Sequence, residues 1–193
     1  LVFLLSGIML YPLIFSVWLS LQDYRLTRIN DVQFVAFENF GLIATDPSFL
    51  NAMGNTISFV IGAVILELIL GLSLALLIQK LAVFRGFVRS ILLAPMFITP
   101  IAVGLMFRFL LNSEIGIIPF YLLKFGVSID WFGPELALFS IVLIDVWQWT
   151  PFMLLMFLAG LEALPKTPFE AARVDGAGPW LTFSSITLPM LRP

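Results

Sequence analysis

The chain has 193 residues, of which 61% are hydrophobic and only 11% charged, and its mean hydropathy is +1.07. A soluble domain of this size cannot hide that much apolar surface, so an integral membrane protein is expected. With no Cys and no His there is no disulfide, no thiolate site, and neither the commonest transition-metal ligand nor the usual general base; the net charge of −2, with no basic stripe, speaks against nucleic acid.

Residues 1–21 form a continuous apolar run broken only by small polar residues and Pro12. About 20 residues at about 1.5 Å each cross a hydrocarbon core of roughly 30 Å, so this run reads as a first span with Pro12 as a tolerated kink. A cleaved signal peptide fits less well, because no small-x-small site precedes Gln22-Asp23-Tyr24. Residues 22–51 are polar and acidic, with Asp23, Asp31, Glu38 and Asp46, yet Phe34, Phe37, Phe40 and Leu42 recur through them. That mixture predicts a partly packed loop with a short helix near 38–44, and Asp46-Pro47-Ser48 reads as a helix start.

A second span is expected over residues 52–79, with Thr56, Ala63, Glu67 and Gly71 on one stripe at helical spacing. Small residues on one face let helices approach closely in lipid. Glu67 lies near the middle, where a carboxylate must face protein or water. Two readings stay open for it: an interhelical hydrogen bond, or a polar wall of a translocation path. After a connector carrying Lys80, Arg85 and Arg89, residues 87–111 read as a third span that Pro95 and Pro100 should kink, with Arg108 snorkelling at its far end. A second loop follows over 112–134, where Trp131 suits a membrane interface.

The fourth span, residues 135–161, carries Asp145, Gln148, Trp149, Phe152 and Met156 on one face, with Trp147 flanking it and Pro151 interrupting the helix. A carboxylate and an amide bond hydroxyl groups, and flat rings stack on the apolar faces of a sugar, so this face can line a pocket for a polyhydroxy ligand. The alternative is that the tryptophans mark an interface and Asp145 bonds a neighbouring helix. The fold class expected is therefore all-α, a polytopic bundle of four spans. The loops at 80–89 and 161–193 hold Lys80, Arg85, Arg89, Lys166, Arg173 and Arg192, against Arg25, Arg28 and Lys124 in the loops at 22–51 and 112–134. Six against three places the 161–193 side in the cytoplasm.

That side carries a short polar helix. Thr167, Pro168 and Glu170 read as a capping box with proline at the first helical position, and Gly176 followed by Gly178-Pro179 as its stop. A helix of about two turns is not stable alone, and Ala171 and Ala172 leave its backbone open to close approach by another surface. Residues 180–188 then alternate apolar with Ser and Thr, which suits a short interfacial helix, and Pro189 and Pro193 bracket the approach to a further one. The sequence begins inside an apolar run and stops in a polar loop, so it reads as a piece of a longer chain.

Glu170-Ala171-Ala172, Asp175-Gly176-Ala177 and Ile186-x-Leu188-Pro189 together resemble the EAA loop of binding-protein-dependent ABC transporter permeases, most closely the sugar-permease branch. The resemblance implies a permease subunit that pairs with a second permease subunit around a path. A cytoplasmic ATPase dimer would grip the two EAA helices, and an extracytoplasmic solute-binding protein would deliver ligand to the loops at 22–51 and 112–134. ATP and Mg²⁺ would be bound by that ATPase, since this chain has no Gly-x-x-x-x-Gly-Lys-Ser/Thr loop; nor does it contain a plausible nucleophile-and-base pair, so no enzyme site is expected. In that family context Ala171 and Ala172 would permit close seating, Glu170 would complete the cap or pair with a basic ATPase residue, and Gly176 would set the helix angle. Two other classes stay open: a proton-coupled secondary carrier using Glu67 and Asp145, and a structural membrane protein with no ligand.

Overall fold

Apolar runs separated by proline, glycine and polar residues fold as a succession of helices in the computed structural model, which describes residues 2–25, 27, 32–81 and 83–191, with side chains from residue 7 onward. Arg28, Asp31, Arg192 and Pro193, used in the topology and loop readings, lie outside the described residues. The chain divides into two units, Leu1–Ile57 and Ser58–Pro193.

In the first unit, α1 (Val2–Ser20) runs through Pro12 without a break. Two short strands follow, β1 (Gln22–Asp23) and β2 (Gln33–Phe34), antiparallel with Gln22 opposite Phe34. At two residues each they have no alternation that a sequence could reveal. The expected short helix is α2 (Glu38–Thr45), and its Asn39 amide donates to the Ser20 and Gln22 carbonyls at 2.9 and 3.0 Å, tying α2 to the end of α1. The helix start at Asp46 is also found: its Oδ1 accepts the Ser48 N–H at 2.8 Å, and Pro47 opens α3 (Pro47–Lys80), where its missing N–H is no loss.

The second unit is organised by α3 packing on α7 (Ala137–Ala163). The buried residues of α3 are Ala63, Glu67, Gly71, Ala75 and Ile78, one stripe at a spacing of three or four, which is the periodicity of a single helix face. Val142 and Val146 of α7 cover its first half, and Leu154, Leu158 and Leu161 its second. Gly71 marks the closest approach: a Cβ there would lie 2.6 Å from Met153 Cβ and 3.1 Å from the Leu154 nitrogen. In lipid, where apolar burial gives no drive, such backbone contact is what holds helices together. Contrary to expectation, Pro151 does not interrupt α7, which continues as helix on both sides of it.

The third apolar stretch corrects the expectation of one kinked span. It forms α4 (Arg85–Leu93), a 3₁₀ turn (Ala94–Phe97), two extended residues and α5 (Pro100–Leu110), with a bend of 93°. The two prolines act differently. Pro95 enters the tighter turn near its start, whereas Pro100 excludes helical geometry from Thr99, whose φ and ψ are −62° and 139°. The chain therefore breaks instead of kinking. The loop at 112–134 contains a helix that the sequence reading missed, α6 (Ile117–Lys124), entered through Asn112, whose Oδ1 accepts the Glu114 and Ile115 N–H groups.

After α7 come α8 (Thr167–Val174), then α9 (Pro179–Thr182), a π turn (Phe183–Thr187) and α10 (Leu188–Met190), the last three forming one continuous rod. Pro189 therefore lies within a helix rather than before one. Its lost N–H follows directly on the π turn, where Leu188 N–H reaches back five residues to Phe183. Among the described residues α3 and α7 are each long and apolar enough to cross a membrane, and the bent pair would make a third crossing.

Candidate functional site

α8 is built differently at its two ends. The expected capping box is absent: Lys166 is the N-cap, with φ −76° and ψ −27°, and no side chain caps the helix. The Lys166 carbonyl accepts the Phe169 and Glu170 N–H groups at 3.0 Å each, so the donor that Thr167 was expected to satisfy already has a partner. The C-terminus follows expectation. Gly176 adopts φ +73°, its N–H donates to Arg173, and the Ala177 N–H donates to the Ala172 carbonyl at 2.9 Å. This pair of bonds is a Schellman closure, which Gly176 permits because it has no Cβ to strain in the left-handed region.

The residues of α8 divide by face. Ala172 is buried against its own chain, while Ala171, Glu170 and Asp175 are exposed and Val174 is 88% exposed. Close approach from outside is thus open at Ala171 but not at Ala172. Behind the helix is a cavity of about 450 Å³ lined by Gln79, Glu162, Lys166, Glu170 and Arg173. A three-residue connector, Leu164 to Lys166, joins α8 to the end of α7, and Leu191 packs on α7 near Gly160, Leu158 and Leu161. Glu162 also pairs with Arg85 at 2.6 Å, linking the ends of α7 and α4.

Within the helices, the residues singled out on α3 and α7 do not converge on one cavity. Glu67 is 5% exposed and meets the carboxyl of the half-buried Asp145 across the α3–α7 interface. Trp149 and Phe152 present about two fifths of their surface outward. Gln148 is 5% exposed, and its Nε2 donates to the Ile98 carbonyl at the break before α5 at 3.0 Å. Trp147 stacks edge-on against Phe107 of α5, with centroids 5.3 Å apart. It also lines an apolar groove of about 470 Å³ with Leu74, Pro95, Thr150 and Leu154. Thr150 was not picked out in the sequence; its buried Oγ1 has no hydrogen-bond partner among the described residues. The same residues contain no cluster of three carboxylates that could hold a metal.

A crystal structure of a bacterial ABC transporter that imports the acidic polysaccharide alginate superposes with a TM-score of 0.82 at 21% identity, covering 98% of this chain and 65% of that one, which establishes the fold. The chain is 39% identical over 184 residues to the trehalose/maltose transport system permease MalF of Thermococcus litoralis, covering 94% of this chain and 62% of the relative. It is 36% identical over 192 residues to the sulfoquinovosyl glycerol permease SmoG of Agrobacterium fabrum, covering 98% and 62%. The chain thus spans about three fifths of the length of the curated relatives it matches. Residues 67–193, which contain the acid pair, the broken helix and α8, match the family described as the inner membrane component of binding-protein-dependent transport systems, and the chain is a membrane protein belonging to that family.

Proposed function

We propose that the chain is the membrane-spanning permease subunit of an ATP-driven importer for a sugar, oligosaccharide or polyol, and that α8 is its cytoplasmic coupling helix. The observation that carries this reading is the build of α8: closed by the Schellman motif at Gly176, anchored by Ala172, and offering Ala171 and Val174 outward. A small residue beside an exposed apolar one is the surface a close-fitting groove needs. Relatives named for trehalose, maltose and arabinooligosaccharide transport support the substrate class.

In this reading α1, α3, the bent pair and α7 give four crossings, with α8 on the cytoplasmic side as the basic residues Lys80, Arg85, Arg89, Lys166 and Arg173 favour. A second permease subunit completes the path, a solute-binding protein delivers ligand from outside, and an ATPase dimer binds ATP and Mg²⁺. Glu170, which forms no cap in its own chain, pairs with a basic residue of the ATPase. ATPase closure moves α8 as a rigid piece; the short connector passes that motion to α7, and the path opens alternately to either side. The outward faces of Trp149 and Phe152, with Asp145 and Glu67 nearby, are the substrate-path candidates. Gln148 and Trp147 are already engaged with the broken span and hold structure instead.

The test is uptake into vesicles holding the complete transporter. Uptake requires ATP inside and the binding protein outside, and Asp145→Ala and Trp149→Ala lower it without loss of bound ATPase. Uptake that ignores ATP but collapses with a protonophore would instead establish a proton-coupled carrier working through Glu67 and Asp145.

A further inference from the structure

The break between the 3₁₀ turn and α5 leaves a backbone polar group that the helix itself cannot satisfy. Ile98 is extended, with φ −82° and ψ 134°, so its carbonyl lies outside both helical ladders. In the interior of a membrane protein such a group needs a partner from another segment. The partner is the Gln148 amide, fifty residues away on α7 and almost fully buried. The preceding residue, Trp147, holds the far side of the same break through its edge-on contact with Phe107 of α5. It also faces Pro95 on the near side, across the apolar groove. Two consecutive residues of α7 thus grip both arms of a helix bent by 93°.

We propose that Gln148 and Trp147 form a clamp that sets the angle of the broken span, so that a shift of α7 driven from α8 reaches α5. The inference rests on the permease reading for what drives α7, though not for the clamp itself. Gln148 lies about 22 Å along the helix axis from the end of α7, where the connector to α8 begins, a rigid arm of about four turns. Everything between them on α7 is continuous helix. Gln148 is a positioning residue in this account, not a contact to solute.

The chain has no native Cys, so nitroxide labels at Phe87→Cys in α4 and Phe109→Cys in α5, both exposed, report the bend directly. The experiment uses the complete transporter in nanodiscs, with its other subunits free of Cys. Gln148→Met keeps the side chain's shape without the donor, and Gln148→Leu removes the donor with a shorter apolar side chain. Each should shift the balance from bent to unbent label distances by about tenfold, the scale of one hydrogen bond lost. Solute uptake per ATP should fall while KM for the solute is unchanged. Trp147→Leu should move the distances in the same direction, whereas Trp147→Phe, which keeps a ring edge against Phe107, should leave them as in the wild type. These variants keep the clamp testable if Gln148→Met does not assemble. Unchanged label distances in the Gln148 and Trp147→Leu variants would overturn the clamp, and a raised KM with unchanged distances would make Gln148 a solute contact. Shifted distances in a protein that proves indifferent to ATP would support the clamp while removing the permease reading.

Discussion

Gly71→Ala is the sharpest test of how α3 and α7 are held. The new Cβ would meet Met153 Cβ at 2.6 Å and two backbone atoms, Leu154 N and Met153 C, at 3.1 Å. None of these is the far end of a flexible side chain, so the helices themselves must separate by roughly 1 Å, enough to forfeit a quarter to a half of each dispersion contact across the gap. Ala75 and Ile78 would lose contact with Leu154 and Leu158, the best-buried cluster in the unit. Overpacking of this kind costs about 1–3 kcal/mol. At about 2–4 °C per kcal/mol for a chain of this size, the apparent melting midpoint of the purified transporter should drop by several degrees. Gly62→Ala is the matched control on the same helix: its Cβ would meet Val142 at 3.7 Å, an ordinary contact, and should be tolerated. Equal midpoints for Gly71→Ala and wild type, measured by tryptophan fluorescence in nanodiscs, would refute backbone contact at Gly71.

Three further predictions follow from single groups. Gly176→Val has open space around it but must hold φ +73°, which costs about 1–2 kcal/mol, so it should loosen the end of α8 and lower solute moved per ATP hydrolysed while the subunit still inserts. Thr150→Val removes a buried hydroxyl with no partner, so thermal stability should stay level or rise; a loss above about 1 kcal/mol would show that the hydroxyl is satisfied. Glu162→Gln breaks an ion pair whose side chains are about half exposed, and should change stability by less than about 1 kcal/mol, because solvent screens such pairs.

What could be read from the residues, and what could not, divides along physical lines. The α3 stripe from Ala63 to Gly71, the helix start at Asp46 and the left-handed stop at Gly176 were legible because each depends on a local pattern: small residues at helical spacing, an Asx-Pro pair, a glycine ahead of Gly-Pro. Thr56, read onto the same stripe, is instead exposed, and its hydroxyl donates to the Ala52 carbonyl of its own helix. The resemblance to the permease family rested on the same local run, Glu170 to Ala177, and matching of residues 67–193 to that family agrees with it. The broken third stretch was not legible, because a proline's effect is settled by whether another segment supplies the freed carbonyl with a donor. Here Gln148 does so from fifty residues away. The N-terminus of α8 failed for a related reason: Pro168 was placed at the first helical position, but Lys166 already adopts helical angles and its carbonyl takes the donors first. The face of α7 was read as one polar and aromatic stripe. The structure turns Gln148 inward, joins Asp145 to Glu67 and leaves Trp149 and Phe152 outward, because the neighbours α3 and α5 choose among side chains that helical spacing alone treats alike.

The coupling role of α8 is tested most directly by cysteine crosslinking in the assembled transporter, against a background with no native Cys in this chain. Ala171→Cys, on the exposed face, should capture the nucleotide-hydrolysing subunit in high yield, and Ala172→Cys, buried one residue on, should capture little. Failure of Ala171→Cys to reach that subunit, or its labelling by an impermeant reagent added from outside, would contradict the account.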